Sequence, residues 1–214
     1  MSIRRLILAL IPLGQIPPNR VNQVGNDTLP QQGDAALVVE LLRTRGEMVA
    51  CAESLTGGDL CSALVAIPGA SAVMLGGVVA YSNTVKHHLL GVDEETLATT
   101  GAATAEVAVA MARGVQSSLR GDATGSGSGS GSGVWGVSTT GVAGPDPDPI
   151  SGAPAGLVFI AVVSPDGRVW EEKLGLVGSR AQVREATVSF GLGLLQRALQ
   201  ASPEAPPGRT NTRE

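Results

Sequence analysis

The chain has 214 residues and a mass of 21.6 kDa, which is enough for one domain with tails but not for two full folds. A hydrophobic fraction of 43% and a mean hydropathy of +0.20 exclude a wholly disordered chain, because that much apolar surface can form a core. The net charge of −4 and the presence of only 5 aromatic residues argue against a nucleic-acid-binding protein.

The two cysteines, Cys51 and Cys61, form neither a disulfide framework nor a CxxC pair. We therefore expect no metal site and a reducing, cytoplasmic location. No stretch reaches the ~18 consecutive apolar residues of a membrane-spanning helix, so no membrane association is expected. The apolar leader is short and lacks a small-x-small cleavage pattern, so residues 1–33 are predicted to be a poorly structured extension rather than a signal peptide.

The first half of the chain alternates helical patterns with short apolar runs. Asp34 is placed to cap the first helix, and Thr56 with Asp59 has the spacing of a capping box. In chain order, the pattern predicts a helix over 35–45, a strand over 48–52, a helix from 56 to about 66, a helical piece then a strand within 71–81, and short helices over 83–90 and 93–99.

The second half contains two strong helical patterns separated by apolar strands and turns. Residues 125–133 alternate Gly and Ser and predict a flexible loop, and residues 201–214 predict a disordered tail. The remaining predicted elements are an amphipathic helix capped by Thr104, a strand over 134–139, a hairpin of 157–163 and 168–176, and a helix from Ser179 to about Leu199. Residues 34–200 are therefore predicted to form a single three-layer α/β/α domain with a mixed, mostly parallel sheet.

A serine lies in the turn between the first predicted strand and the helix that follows it. If Thr56 caps that helix, the Ser54 hydroxyl is uncommitted, and the first-turn N–H groups at Gly57 and Gly58 are open. An oxyanion or phosphate site needs such donors. The alternative is that Ser54 itself caps the helix and has no further role.

A tyrosine and a lysine follow the end of the next predicted strand. Lys86 can act as a base if burial lowers its pKa, and a serine–lysine pair is a known variant of the catalytic triad. Tyr81 is the sole tyrosine of the chain. The alternative for Lys86 is an ordinary solvated lysine on a helix.

Two further segments combine polar or charged residues with strand ends and helix starts. Thr140 and Gly141 end a strand, where a glycine lets backbone approach a ligand closely; a plain turn is the alternative. Arg180 and Arg184 lie one turn apart at a helix start, where an anionic partner would explain two cations; a surface pair is the alternative. Because ligands of open α/β sheets bind beyond the strand ends, we expect these segments to converge in one cleft.

Six ordered blocks of the sequence resemble the CinA C-terminal family, whose characterised members include nicotinamide-mononucleotide deamidases. The blocks are AESLTGG, PGAS, GGVVAYSNTVKHHLLGV, the helix from Thr104, TTGVAGP and GSRAQVR. The resemblance implies hydrolysis of the carboxamide of nicotinamide mononucleotide to nicotinate mononucleotide and ammonia, with no cofactor. Leu55 stands where the family often has Cys, and Asp146 and Asp148 stand where many relatives are Gly-rich.

The resemblance also implies roles for individual residues. Ser54 would be the nucleophile, Lys86 its base, and Tyr81 would orient or relay the proton. The implied substrate-binding residues are Thr56, Gly57, Gly58, Thr140, Gly141, Arg180 and Arg184, with one of the two arginines neutralising the phosphate.

The implied partner is a small nucleotide substrate, with no nucleic acid and no membrane. The apolar segment 73–79 is compatible with the core or with a homo-oligomer interface. The alternative hypothesis is a non-catalytic module that binds a nucleotide or docks a partner, which the altered loop at Asp146 and Asp148 motivates.

Overall fold

The computed structural model describes residues 33–120 and 133–202. The predicted extension up to residue 32, the Gly/Ser loop up to residue 132 and the tail from residue 203 lie outside the described residues. The described elements are α1 (Ala35–Arg45), β1 (Met48–Glu53), α2 (Asp59–Val65), a 3-10 turn (Ala70–Ala72), β2 (Met74–Val79), α3 (Asn83–Leu90), α4 (Glu94–Thr99), α5 (Ala105–Arg120), β3 (Val134–Gly141), β4 (Leu157–Val163), β5 (Val169–Gly175) and α6 (Arg180–Ala201).

Five strands form one mixed sheet in the order β2-β1-β3-β4-β5. β1 pairs in parallel with both β2 and β3, whereas β4 runs antiparallel to its neighbours β3 and β5. Four of the five strands therefore point the same way, and the predicted mixed α/β sheet is confirmed. The carboxyl ends of β1, β2 and β3 lie side by side at one edge of the sheet, which brings the predicted site segments together.

Helices cover both faces of the sheet. On one face, α1, α2 and α6 pack over the side chains of Val49, Cys51, Trp135 and Val137. On the other face, α5 packs with α3 and α4 over Ala50 and Ala52. The alternation along β1 therefore assigns successive residues to opposite helical layers.

The predicted helix boundaries depend on local capping signals, and most are confirmed. The Asp34 side chain accepts from Ala36 N at 2.8 Å at the start of α1. Thr104 Oγ1 accepts from Val107 N at 3.1 Å at the start of α5, and Ser179 caps α6 in a capping box with Gln182. These contacts involve residues two or three positions apart, which is why the sequence reveals them.

The predicted start of α2 is wrong. Gly58 is the N-cap residue of that helix and provides no side-chain cap. The Thr56 hydroxyl shares a 2.7 Å hydrogen bond with the Thr139 hydroxyl on β3, and Thr56 is fully buried. The Thr56 side chain, which the capping-box spacing assigns to the helix start, therefore hydrogen-bonds to β3 instead.

Candidate active site

Ser54 follows the last residue of β1 and is the first residue of the turn into α2. Its N–H donates to Thr139 O at 2.9 Å, so pairing with β3 continues one residue past the strand. The alternation of β1 then assigns Ser54 to the α5 side of the sheet, with Ala50 and Ala52. Ser54 is 7% exposed, and its hydroxyl makes no hydrogen bond to any other described residue. The alternative that Ser54 caps α2 is therefore wrong.

Lys86 lies on α3 and is buried, with 1% of its surface exposed. Its Nζ donates to Ala80 O at 2.9 Å and to Tyr81 O at 3.2 Å, just past the end of β2. Ala80 N in turn donates to Glu53 O at 2.8 Å, which joins this end of β2 to the end of β1. The Lys86 amine therefore lies beside the strand end from which the Ser54 turn leaves.

Burial lowers the pKa of Lys86 to about 8 from its ordinary 10.5, and the nearby Asp148 carboxylate opposes this shift. A neutral amine has two hydrogens and one lone pair. The carbonyls of Ala80 and Tyr81 take the two hydrogens, so the lone pair of the neutral form is left to accept a proton. The solvated-lysine alternative is wrong, and Lys86 has the properties of a general base.

Tyr81 contacts Lys86 through its backbone carbonyl, and its hydroxyl hydrogen-bonds to another residue. Tyr81 is 62% exposed, and its hydroxyl accepts a 2.9 Å hydrogen bond from Arg180 Nη2. Arg180 Nη1 also donates to Gly144 O at 3.0 Å. This exposed guanidinium spans the loop after β3 and the end of β2, and it faces no carboxylate among the described residues.

Arg184 is differently placed, one helical turn further along α6. Its guanidinium donates to Leu55 O at 3.1 Å, to Thr56 O at 2.7 Å and to the Asp59 carboxylate at 2.6 Å. Its charge is therefore already paired with Asp59, and its hydrogen bonds to Leu55 O and Thr56 O fix the turn that contains Ser54. The two arginines that the sequence could not distinguish have different surroundings.

The N–H groups expected to be open at the start of α2 are already donated, so that expectation is wrong. Gly57 N donates to Ser54 O at 3.2 Å. Gly58 N, Leu60 N and Cys61 N donate to the Glu53 carboxylate at 2.9, 3.0 and 2.7 Å. Glu53 is fully buried and supplies the negative charge that this helix start favours.

Thr140 and Gly141 lie at the end of β3. The Thr140 hydroxyl donates to Ala102 O at 2.7 Å on the α5 side of the sheet, and Thr140 is fully buried. A Cβ at Gly141 would lie 2.4 Å from Leu157 O, so this glycine permits the close pairing of β3 with β4. The Thr140 hydroxyl and the Gly141 backbone therefore have roles in packing, which the sequence-based prediction of ligand binding did not include.

Comparison with known proteins identifies the family. The profile described as CinA C-terminal domain matches residues 31–199. The chain belongs to the CinA C-terminal domain family. It is 41% identical over 171 residues to the CinA-like protein of Thermosynechococcus vestitus and 43% identical over 166 residues to that of Synechococcus sp. strain RCC307. These alignments cover 79% and 77% of this chain but only 38% and 37% of the relatives, so the chain spans less than two fifths of their length.

Solved structures of CinA proteins have the same fold. The competence damage-inducible protein A of Klebsiella pneumoniae superposes with a TM-score of 0.69 at 29% identity, covering 79% of this chain and 96% of that one. The competence/damage inducible protein CihA of Agrobacterium tumefaciens superposes with a TM-score of 0.65 at 34% identity, covering 81% and 99%. Both comparisons agree with the single α/β domain described above.

Sequence reasoning gave no site role to two carboxylates of this CinA domain, Glu53 and Asp148, although Asp148 was noted as a departure from the family pattern. Glu53 is adjacent to Ser54, but its side chain lies on the opposite side of the strand. Its signal in the sequence was an acidic residue at the end of an apolar run, just before a Gly-containing turn. Asp148 accepts from Ile150 N, Ser151 N and Ser151 Oγ at 3.1, 2.7 and 2.8 Å, which lowers its pKa and fixes its carboxylate. Its electrostatic influence on Lys86 places a negative charge from the loop after β3 near the Lys86 amine.

Within residues 33–120 and 133–202, no group of three or more His, Cys, Asp or Glu side chains could hold a metal ion. No helix in those ranges is both long and apolar enough to cross a bilayer.

Proposed function

We propose that this CinA domain is an amidohydrolase that converts nicotinamide mononucleotide to nicotinate mononucleotide and ammonia. The observation that carries the proposal is the state of Lys86. It is a buried amine of lowered pKa whose hydrogens are bound by Ala80 O and Tyr81 O, beside the strand end that leads to an uncommitted Ser54 hydroxyl.

The proposed reaction begins when the Ser54 hydroxyl oxygen adds to the carboxamide carbon. The hydroxyl proton passes to the lone pair of neutral Lys86, and the carbonyl π electrons move onto the carboxamide oxygen. The C–N bond then breaks, its electron pair leaves with nitrogen, and Lys86 returns the proton to give ammonia. Water, activated by the same amine, hydrolyses the resulting ester. These steps require no metal ion or cofactor.

The phosphate of the substrate is assigned to Arg180 rather than Arg184. Arg180 is exposed and, among residues 33–120 and 133–202, donates only to the Gly144 carbonyl and the Tyr81 hydroxyl, both neutral acceptors. Arg184 already faces the Asp59 carboxylate. A phosphate at Arg180 would gain charge-assisted hydrogen bonds without displacing another anion. Tyr81 is therefore proposed to position Arg180 through its hydroxyl and Lys86 through its carbonyl.

The test is ammonia release from nicotinamide mononucleotide by purified wild type, Ser54→Ala and Lys86→Met, with Ser118→Ala as a matched serine control on α5. Wild type and the control should release ammonia, and the two site variants should lose at least 1,000-fold in kcat, as expected when a member of a nucleophile–base pair is removed. Equal inertness of all four folded proteins across a pH range would contradict the proposal. Tight nucleotide binding without turnover would instead favour the non-catalytic binding module.

Three accompanying expectations stay predictions. They are the small nucleotide as the partner, a cytoplasmic location, and a homo-oligomeric state, for which segment 73–79 was predicted to lie either in the core or at the interface.

A further inference from the structure

Two backbone N–H groups directly after Ser54 have no acceptor among the residues that the structure describes. Within the described part of the chain, neither Leu55 N nor Thr56 N donates to a backbone or side-chain atom. Leu55 is 4% exposed and Thr56 is fully buried. Buried N–H groups are nearly always paired, so two consecutive unpaired donors need an explanation. Their position, next to the uncommitted Ser54 hydroxyl, indicates that they face a ligand.

The direction of these donors follows from the carbonyls of the same peptide groups. In a trans peptide, the N–H points opposite to the carbonyl of the preceding residue. Ser54 O accepts from Gly57 N at 3.2 Å, which fixes the peptide that carries the Leu55 N–H. Leu55 O accepts from Arg184 Nε at 3.1 Å, which fixes the peptide that carries the Thr56 N–H. Both donors are therefore preorganised.

Arg184 also determines which side of the turn the Thr56 N–H faces. The guanidinium reaches Leu55 O from α6, which covers the face opposite to α5. The Thr56 N–H accordingly points away from α6, toward the side that carries Ser54 and Lys86. The cation on the carbonyl also polarises the peptide, which strengthens its N–H as a donor. The salt bridge to Asp59 keeps the guanidinium in this position.

We infer that the N–H groups of Leu55 and Thr56 form the oxyanion hole of this site, and that Arg184 is the positioning residue that orients them. The inference rests on the proposed function. When Ser54 adds to the carboxamide carbon, the π electrons collect on its oxygen, and these two N–H groups stabilise the negative charge. The N–H of the residue after a nucleophile has this role in other hydrolases. Gly57 and Gly58, whose N–H groups are occupied, have no part in it.

The direct test replaces Leu55, and separately Thr56, with the α-hydroxy acid of the same side chain, which exchanges the N–H for an ester oxygen. Each change should lower kcat for nicotinamide mononucleotide by about 100-fold, with KM within about threefold, because the lost bond forms only in the transition state. Arg184→Ala should lower kcat by at least tenfold, and Arg184→Lys should restore part of it. The matched control is lactic acid at Ala35, an N–H at the start of α1.

A second measurement tests the oxyanion hole independently of whether nicotinamide mononucleotide is the substrate. A fluorophosphonate labels an activated serine, and its phosphoryl oxygen enters the same hole. Ser54 should be labelled in wild type and in the Ala35 control, and at least tenfold more slowly in the Leu55 and Thr56 ester variants. If wild type is labelled but releases no ammonia, the proposed substrate fails and the oxyanion hole stands. Equal labelling rates in folded variants, or no labelling of Ser54, would overturn the inference.

Discussion

The Arg180 guanidinium donates a 2.9 Å hydrogen bond to the Tyr81 hydroxyl, which joins the start of α6 to the end of β2 across the mouth of the site. Ninety-nine positions separate these residues in the chain. The contact fixes a cation beside the strand ends while leaving it exposed to solvent. Such a cation can accept an anionic ligand without first losing a carboxylate partner.

Arg180→Ala should raise the KM for nicotinamide mononucleotide by roughly 10–100-fold and change kcat by less than about threefold. The reason is that a charge-assisted hydrogen bond to phosphate contributes about 1.5–3 kcal/mol to ground-state and transition-state binding alike. Steady-state kinetics on the variant measures this. Arg168→Ala, which removes an exposed arginine of the β4–β5 turn, is the control. A fall in kcat at unchanged KM would show that Arg180 does not bind the phosphate.

The activity should depend on the protonation of Lys86. Because the base must be neutral and its pKa is about 8, kcat/KM should rise tenfold per pH unit below that value and level off above it. The Asp148 carboxylate raises this pKa, so Asp148→Asn should move the inflection to lower pH. Asp166→Asn, on the β4–β5 turn, should leave the profile unchanged. A profile that is flat between pH 6 and 9 would exclude Lys86 as the base.

Lys86 should also make stability depend on pH. Its pKa is about 8 in the folded protein and 10.5 in the unfolded chain, so between these values the unfolded state binds the extra proton. The free energy of unfolding should therefore increase with pH across this window, by on the order of 3 kcal/mol relative to Lys86→Met. Urea unfolding of both proteins from pH 7 to 10.5 tests this. Parallel curves would mean that the folded protein does not depress the pKa.

Glu53→Ala should lower the free energy of unfolding by about 3 kcal/mol or more, because the N–H groups of Gly58, Leu60 and Cys61 lose a buried charged acceptor. Chemical denaturation gives the value. The exposed Glu171→Ala on β5 should change it by less than about 0.5 kcal/mol. A Glu53→Ala protein as stable as the control would indicate that water satisfies the first turn of α2.

Two helical glycines should respond oppositely to alanine. A Cβ at Gly114 would lie 2.0 Å from Leu90 O, where α3 crosses α5, so Gly114→Ala should destabilise the protein by about 1–3 kcal/mol. At Gly191 the nearest atom, Leu60 Cδ1, is 3.7 Å away, so Gly191→Ala should stabilise it by about 0.5–1 kcal/mol. Thermal unfolding of the pair measures both signs. Equal shifts would show that helix propensity, and not close packing, dominates at both positions.

The sequence alone was sufficient for the features that depend on neighbours along the chain. The caps at Asp34, Thr104 and Ser179 involve residues within three positions, and the β4–β5 hairpin follows from its turn residues. Apolar periodicity identified the helices and strands because burial of one face is a local pattern. The same local signals also placed Ser54 and Lys86 just after two successive predicted strands, and the structure shows that these strands are neighbours in the sheet.

Only the tertiary structure decided which polar groups at those strand ends are free. Strand alternation sends Glu53 to one side and Ser54 to the other, so the carboxylate occupies the helix start that the sequence had left for a ligand. Because α6 packs against the β1–α2 turn, Arg184 hydrogen-bonds to the backbone of that turn, whereas Arg180 stays exposed. Such choices depend on the directions of side chains from elements distant in sequence, and no local pattern encodes those directions.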